Sequence, residues 1–237
     1  MRTLLRPWRG ALHRLIARAM LSVVVPTLNA EAHLPAFLER MKPADEILVV
    51  DGGSTDRTIA VAEQAGARLL LAPKGRGRQL AAGGEAASGD WLLFLHADSL
   101  PAPDWPAAVA AHYRVALDKA ACFRLRLADR AWQARAVERA VAVRVGLLGL
   151  PYGDQGLLVP RALYRAVGGY RPMPLMEDVD LVRRIGRRRL AVLECEAWTS
   201  AERWRRDGWI RRSARNLFCL GLFAAGVSPS RIARIYG

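Results

Sequence analysis

Lysine is nearly absent from this chain of 237 residues. Lys42, Lys74 and Lys119 are the only lysines, so arginine makes up almost all of the 36 basic residues. Set against 22 acids they leave a formal charge of +14, and no acid precedes Glu31. Such a balance favours polyanions, phosphorylated ligands or anionic lipid as partners without choosing among them. The arginines are scattered and no nucleic-acid motif accompanies them, so no nucleic-acid partner is expected. Cysteine is scarce as well. Cys122, Cys195 and Cys219 contain no C-x-x-C pair and cannot all pair with one another. That excludes a disulfide framework, gives no zinc signal and suits a reducing cytoplasm. Long apolar runs are missing too. The stretch Leu12–Met20 is interrupted by His13, Arg14 and Arg18, too broken for a secretory core or a membrane span. The uncharged run Leu217–Val227 is about half the length that a bilayer requires. Core packing is its expected role, with contact against the inner membrane face as a lesser option. Repeats, low-complexity tracts and clear linkers are also absent.

What is present is a large apolar fraction, 52%, enough for a substantial core. "LSVVVPT" (Leu21–Thr27) reads as a buried parallel strand. A helix is expected over Glu31–Met41, then a strand "EILVVDGGS" (Glu46–Ser54), with Ser54 capping a helix that carries Asp56 in its first turn. Ala67–Ala72 reads as a third strand, Gln79–Ala87 as a helix and Asp90–Leu95 as a fourth strand. Strands alternating with helices predict an α/β doubly wound, mostly parallel sheet that binds ligands at the strands' C-terminal ends. Beyond it come an alternating strand Cys122–Leu127, a long helix over Arg130–Leu148 and a turn-rich "LPYGDQG". A short strand "LLV" follows, then a helix ending at Gly168-Gly169, the helix of "MEDVDLVRRIG", and a helical tail from Ser213. The expected layout is a basic leader over residues 1–20, one domain over 21–210 and a helical tail over 211–237. The domain divides into a first half over about 21–100 and a second over about 101–210. In the leader, Leu4, Trp8, Leu12 and Leu15 or Ile16 recur at helical spacing among arginines. They fit either an interfacial helix or a segment upstream of a true start at Met20.

Four groups stand where strands end: Pro26-Thr27-Leu28-Asn29 with Glu31; Asp51-Gly52-Gly53-Ser54-Thr55-Asp56; Lys74-Gly75-Arg76-Gly77-Arg78-Gln79; and His96-Ala97-Asp98. The glycine loop is not a dinucleotide fingerprint, because it follows the third strand and Leu80 replaces the last glycine. Arg76 and Arg78 beside flexible glycines suit a diphosphate clamp, since guanidinium forks match phosphate oxygens. Asp154 and Gln155 lie between Gly153 and Gly156 in a loop able to approach a donor sugar or an acceptor.

In this order the groups resemble the family 2 glycosyltransferases of the GT-A fold. "SVVVPTLNAE", "VVDGGSTDRT", "GDWLLFLHADS" and "MEDVDLVRRI" are similar to that family's opening strand, second strand, D-x-D strand and Glu-Asp helix. "GRGRQLAAGG", "FLHAD", "PYGDQGLLV", "PLMEDVDL" and "TSAERW" further resemble the subgroup labelled arsenosugar-biosynthesis-type glycosyltransferases. The resemblance implies that Pro26, Thr27 and Glu31 line a nucleotide-base pocket. It implies that Asp51 accepts from the base's ring N–H, beside Gly53, as in members that use UDP sugars. Asp98 matches the metal-binding acid of the D-x-D motif, so a divalent cation (Mg²⁺ or Mn²⁺) is implied. Asp178 matches the catalytic base, with Glu177 beside it. "Ser200-x-x-Arg203-Trp204" is loosely similar to a Q-x-x-R-W motif, with Arg203 on the diphosphate and Trp204 on the acceptor. Because Ser200 replaces Gln, processivity is not implied.

The departures leave questions open. His96 stands where most relatives have Asp. It is either a cation ligand, favouring Mn²⁺, or a contact to ribose or phosphate that leaves the metal to Asp98. "NAE" replaces the common "NE" and shifts Glu31. The implied function is inverting transfer of a sugar from a nucleotide diphosphate sugar to a hydroxyl on a small-molecule or lipid-linked acceptor. A sugar-phosphate nucleotidyltransferase would need its Gly-rich basic loop after the first strand, where this chain has "PTLNAE". A non-catalytic nucleotide-sugar-binding protein would bind donor without turnover. The implied setting is cytoplasmic, with peripheral membrane contact as an option.

Overall fold

The computed structural model describes residues 19–236. The expected basic leader therefore lies, apart from Ala19 and Met20, outside the described residues. Strand β1 (Leu21–Thr27) has Val23, Val24 and Val25 fully buried. A run buried on both faces belongs inside a parallel sheet. It pairs in parallel with β2 (Glu46–Asp51) on one side and β4 (Trp91–Phe94) on the other, and β3 (Arg68–Leu71) pairs in parallel with β2. The second half adds β5 (Ser99–Pro101), β6 (Ala120–Leu127), β7 (Leu157–Pro160) and β8 (Leu190–Thr199). The strand order is β3-β2-β1-β4-β7-β6-β8-β5. Strand β7 runs antiparallel to β4 and β6, β5 runs antiparallel to β8, and β6 and β8 are parallel.

The two-residue period of a strand divides the apolar side chains between two layers. Val23, Val25, Val49, Leu93 and Trp91 face one layer, closed by α1 (Leu34–Met41) and α4 (Trp105–Val115). Val24, Leu48, Val50, Leu92 and Phe94 face the other, closed by α3 (Arg76–Ala86), α6 (Arg161–Ala166) and α7 (Glu177–Ile185). Gly83 lets α3 lie directly on the sheet, since a Cβ there would come within 2.4 Å of Val24 and 2.8 Å of Val50. Helix α2 (Thr58–Gln64) packs beside α1, and α5 (Trp132–Leu148) covers β6. The chain ends in α8 (Glu202–Asp207), α9 (Trp209–Ala224) and α10 (Pro229–Tyr236). The architecture is thus the expected doubly wound, mostly parallel sheet with an antiparallel portion and a helical tail. Among the described residues no helix is long and apolar enough to cross a membrane.

The details differ where side chains have other partners. Strand β2 stops at Asp51 rather than Ser54, because the Asp51 carboxylate turns the chain by accepting the N–H groups of Gly53 and Ser54. Ser54 caps no helix; its hydroxyl donates to Asp51 and accepts the Asn29 N–H. Helix α2 begins at Thr58, whose N–H is taken by Asp56. Helix α1 starts at Leu34 with Pro35 in its first turn, where a missing N–H costs nothing. Helix α3 starts at Arg76, so the expected Gly/Arg loop is its first turn. Strand β8, for which the sequence pattern predicts no element, occupies ten residues near the far sheet edge.

Candidate active site

The strand order reverses at β1, whose neighbours β2 and β4 lie on opposite sides, and the C-terminal ends of these strands border a crevice. Two cavities meet there. One of about 670 Å³ is lined by Pro26, Thr27, Asn29, His33, Lys74 and Gln79. The other, about 210 Å³, is lined by Tyr152, Asp154, Asp178, Trp204, Asn216 and Tyr236. Arg76, His96, Asp98, Ser200 and Arg203 belong to both walls and form the seam.

The first chamber is built by side chains that tie β1 to β2. Asp51 is fully buried, and its two oxygens accept from Gly53 N, Ser54 N, Ser54 Oγ and Thr27 Oγ1 at 2.5–3.0 Å. Burial alone would push the Asp51 carboxyl up, but these donors outweigh it and hold it below the usual range. Gln79, one helical turn after Arg76, donates from Nε2 to Thr27 O at 2.7 Å and Val50 O at 2.8 Å. Asn29 accepts the Thr55 N–H at 2.9 Å. Asn29 also has left-handed backbone, φ 50°.

The seam is an ionic cluster. Arg76 Nε donates to Glu177 Oε1, and its Nη2 lies 3.5 Å from Asp178 Oδ2. Glu177 is 1% exposed, so its charge depends on that partner. Arg76 Nη1 lies 3.3 Å from His96 Nε2. A guanidinium only donates, so Nε2 is the acceptor and a neutral ring carries its proton on Nδ1. Burial and the Arg76 charge push the His96 pKa down to about 4, which keeps the ring neutral. Neither ring nitrogen then has a free lone pair. Asp98 faces the seam with Arg203 Nη2 at 3.8 Å.

Asp178 is held from two sides. Gly153 N–H donates to Oδ2 at 2.9 Å, and Val179 N–H donates to Oδ1 at 2.8 Å. Glycine at 153 leaves room for the imidazole, since a Cβ there would come within 2.6 Å of His96 Nε2 and displace the ring. Immediately before Glu177, Met176 has φ 65°. Besides Asn29 it is the one non-glycine left-handed residue among those described, and both line the crevice. Such backbone is costly for Met and concentrates at functional sites. In the second chamber Asp154 Oδ1 is buried without a hydrogen-bond partner, and burial raises its carboxyl pKa against the pull of Arg144. Arg144 caps the Tyr152 ring at 3.5 Å, and Trp204 stacks on Trp209 with centroids 5.7 Å apart.

Of the residues singled out in the sequence, Pro26, Thr27, Arg76, His96, Asp98, Asp154, Asp178, Arg203 and Trp204 come together at the crevice. Glu177 reaches it through Arg76. Asp51 is fully buried and Gly53 is exposed, and neither lines the two cavities. Glu31 is exposed and accepts the Arg57 N–H. Arg78 projects to solvent, about 200° around α3 from Arg76. Gln155 is buried and turned away, donating to Phe123 O and receiving Arg144. It borders a separate cavity of about 390 Å³ between α5 and strands β6 and β8. Sequence reasoning missed Tyr152, His33 and the α9 pair Arg212 and Asn216. For the last two the i, i+4 spacing was the available signal. His112 is buried edge-on to Trp91 and bonds Lys119 O. Among the described residues no group of three or more His, Cys, Asp or Glu converges as a ready-made metal cage.

The model of the family described as Glycosyl transferase family 2 matches residues 22–142. A PGL/p-HBAD biosynthesis glycosyltransferase of Mycobacterium tuberculosis is 42% identical over 108 residues, covering 40% of this chain and 42% of that protein. An uncharacterized glycosyltransferase of the same species is 41% identical over 91 residues, covering 38% and 42%. The chain thus spans about two fifths of the length of these curated relatives. Among solved structures, glucosyl-3-phosphoglycerate synthase from Mycobacterium tuberculosis in complex with Mn²⁺, UDP-glucose and phosphoglyceric acid matches with TM-score 0.55 and 24% identity. It covers 77% of this chain and 72% of that one, a likeness of fold. A further mycobacterial protein matches with TM-score 0.58 and 26% identity over 80% of this chain and 67% of that one.

Proposed function

The chain belongs to glycosyl transferase family 2, and from that premise we propose that it moves a sugar from a nucleotide diphosphate sugar, UDP-linked, to an acceptor hydroxyl with inversion. The observation that carries this reading is the seam. Two chambers of unequal size share the cations Arg76 and Arg203 and the acid Asp98, and Asp178 stands on the smaller side. A nucleotide in the larger chamber brings its diphosphate to the seam and its sugar to the smaller one.

The residues then divide the work. Pro26, Thr27, Asn29 and Gln79 border the nucleoside, and the buried Asp51 fixes Thr27 and the turn after β2. Arg76 and Arg203 neutralise charge growing on the departing diphosphate. Asp178, its carboxylate oriented by the Gly153 and Val179 N–H groups, takes the proton of the acceptor hydroxyl. That oxygen attacks the anomeric carbon from the face opposite the diphosphate. Asp154, with an unfilled acceptor oxygen, receives a sugar or acceptor hydroxyl, and Trp204 offers its ring to the acceptor.

The residues present fit a divalent cation, Mg²⁺ or Mn²⁺. Asp98 supplies a hard carboxylate oxygen at the seam, and its Arg203 contact is loose enough to yield. When bound with diphosphate oxygens and water, the ion would supply Lewis-acid stabilisation of the leaving group. The comparison fits this, since the synthase structures hold Mn²⁺ or Mg²⁺ with UDP. His96 is left out of the ligand set, because Arg76 occupies its acceptor nitrogen and sets a positive charge beside it. It positions Arg76 instead. On motifs such as "GRGRQLAAGG" and "TSAERW" we set the chain beside the arsenosugar-biosynthesis-type subgroup, a likeness that names no acceptor.

Calorimetry of nucleotide diphosphates with Mg²⁺ and Mn²⁺ tests the first half. Binding of UDP is expected, and no binding by any nucleotide diphosphate would sink the reading. Asp178→Asn tests the second: donor affinity is kept within about twofold while transfer falls by roughly 10²–10⁴. Unchanged transfer in that variant would take Asp178 out of the mechanism, and donor binding without turnover in the wild type would favour a binding module.

A further inference from the structure

Helix α9 has two unlike faces. Its inner face carries Arg212 and Asn216 to the second chamber and buries Cys219 against Ile232 of α10. Its outer face, at 100° per residue, gathers Ile210, Ala214, Leu217, Phe218 and Gly221. Ile210 is 86% exposed, Leu217 63% and Phe218 56%. Just over three turns of helix thus show an apolar surface in which Arg211 is the only charge and which nothing among the described residues covers, an uncommon feature.

The charge around this surface is of one sign. After Asp207 the sequence contains no acid through its last residue. Arg211, Arg231 and Arg234 are exposed there, with no acidic partner among the described residues. A second copy of the same face would bring these arginines against one another with no acid to pair them, which disfavours self-association. A polyanion without an apolar part would leave Leu217 and Phe218 in water. An anionic bilayer surface meets both demands, apolar depth at the centre and negative headgroups at the rim.

We propose that α9 and α10 form a docking surface for an anionic lipid bilayer. Helix α9 lies in the plane of the interface, with Ile210, Leu217 and Phe218 at the acyl boundary and Arg211, Arg231 and Arg234 among the headgroups. Because the opposite face of α9 walls the smaller chamber, docking sets that chamber one helix diameter from the lipid. The consequence for an acceptor presented at a membrane rests on the transferase reading; the docking surface itself does not.

The test is co-sedimentation of the full chain with phosphatidylcholine vesicles, with and without phosphatidylglycerol. Binding is expected only when phosphatidylglycerol is present, and it weakens as salt is added. Leu217→Glu with Phe218→Glu lowers the partition by roughly tenfold or more, with helical content and nucleotide diphosphate affinity unchanged. Should that pair disturb folding, Arg231→Gln with Arg234→Gln decides, with a drop of about threefold or more on anionic vesicles expected. No binding to anionic vesicles would overturn the proposal. So would equal binding by the folded Glu pair or the Gln pair, or a dimer in free solution that the Glu pair converts to monomer. Nucleotide affinity measured without vesicles reports on the transferase reading separately, so failure of either leaves the other standing.

Discussion

Asp51, the last residue of β2, and Asp154, in the turn before β7, are both acids beside apolar strands, and they are finished in opposite ways. Asp51 belongs to the parallel half and has four donors on two oxygens, all from its own turn or the neighbouring strand. Asp154 belongs to the antiparallel half and keeps a buried oxygen with no partner. The first half of the molecule is closed on itself and needs no ligand to be complete. The second leaves polar capacity open at a chamber wall, where a ligand hydroxyl completes it. Between them the Arg76 cluster belongs to both, joining α3 of one half to α7 of the other. The parallel half supplies a rigid frame, and the antiparallel half supplies unsatisfied chemistry.

The largest break in this contrast comes at the cluster. Arg76→Met leaves Glu177 buried without its cation and lowers stability by about 3 kcal/mol. The loss, read by thermal unfolding, shrinks as pH falls and Glu177 takes up a proton. A pH-independent loss would mean that the pair contributes only packing. Next, Asp51→Asn removes the charge that four donors share and costs about 2 kcal/mol. Nucleotide affinity falls along with stability, because the wall moves. Weaker affinity at unchanged stability would instead make Asp51 a direct contact to the base.

A pH scan reads His96. Its folded pKa of about 4 lies below the ordinary 6.5, so between those values the unfolded chain binds more protons than the folded one. The ring's contribution is therefore fully present above pH 6.5 and is lost as pH falls towards 4, an effect of about 1–2 kcal/mol for a half-buried ring. His96→Gln keeps an acceptor for Arg76 and flattens that part of the profile; an unchanged profile would place the titration elsewhere. The smallest effect on stability is expected at Asp154. Asp154→Asn breaks no hydrogen bond of Oδ1 and changes stability by less than about 0.5 kcal/mol, while KM for the acceptor or donor sugar rises. A large loss of stability there would mean that Asp154 is as internally satisfied as Asp51.

Much of the parallel half was legible because its signals are local. Short continuous apolar runs closed by Pro26, Gly52 and Gly53 placed the strands, with the end of β2 expected three residues beyond Asp51. The site was legible only in part, because side chains at those ends go in different directions. Arg76 and Arg78 read alike in the sequence, yet starting α3 at Arg76 sends one into the cluster and the other to solvent. Asp154 and Gln155 are neighbours that face different cavities. The run Leu217–Val227, expected to pack in the core, is split by helical geometry into buried Cys219 and exposed Leu217 and Phe218. The left-handed backbone at Met176 has no residue-type signal, since Met is a poor choice for it.

The order of strands and helices, the strand ends that border the crevice, and the acids and arginines available there were determined by the sequence itself, through periodicity and turn chemistry that act over a few residues. Which of those residues meet was decided only by the tertiary structure. Arg76 and Glu177 are 101 positions apart, and no local propensity specifies such a contact. It follows from how two halves of one sheet are wound, which also sets His96 Nε2 3.3 Å from Arg76 Nη1.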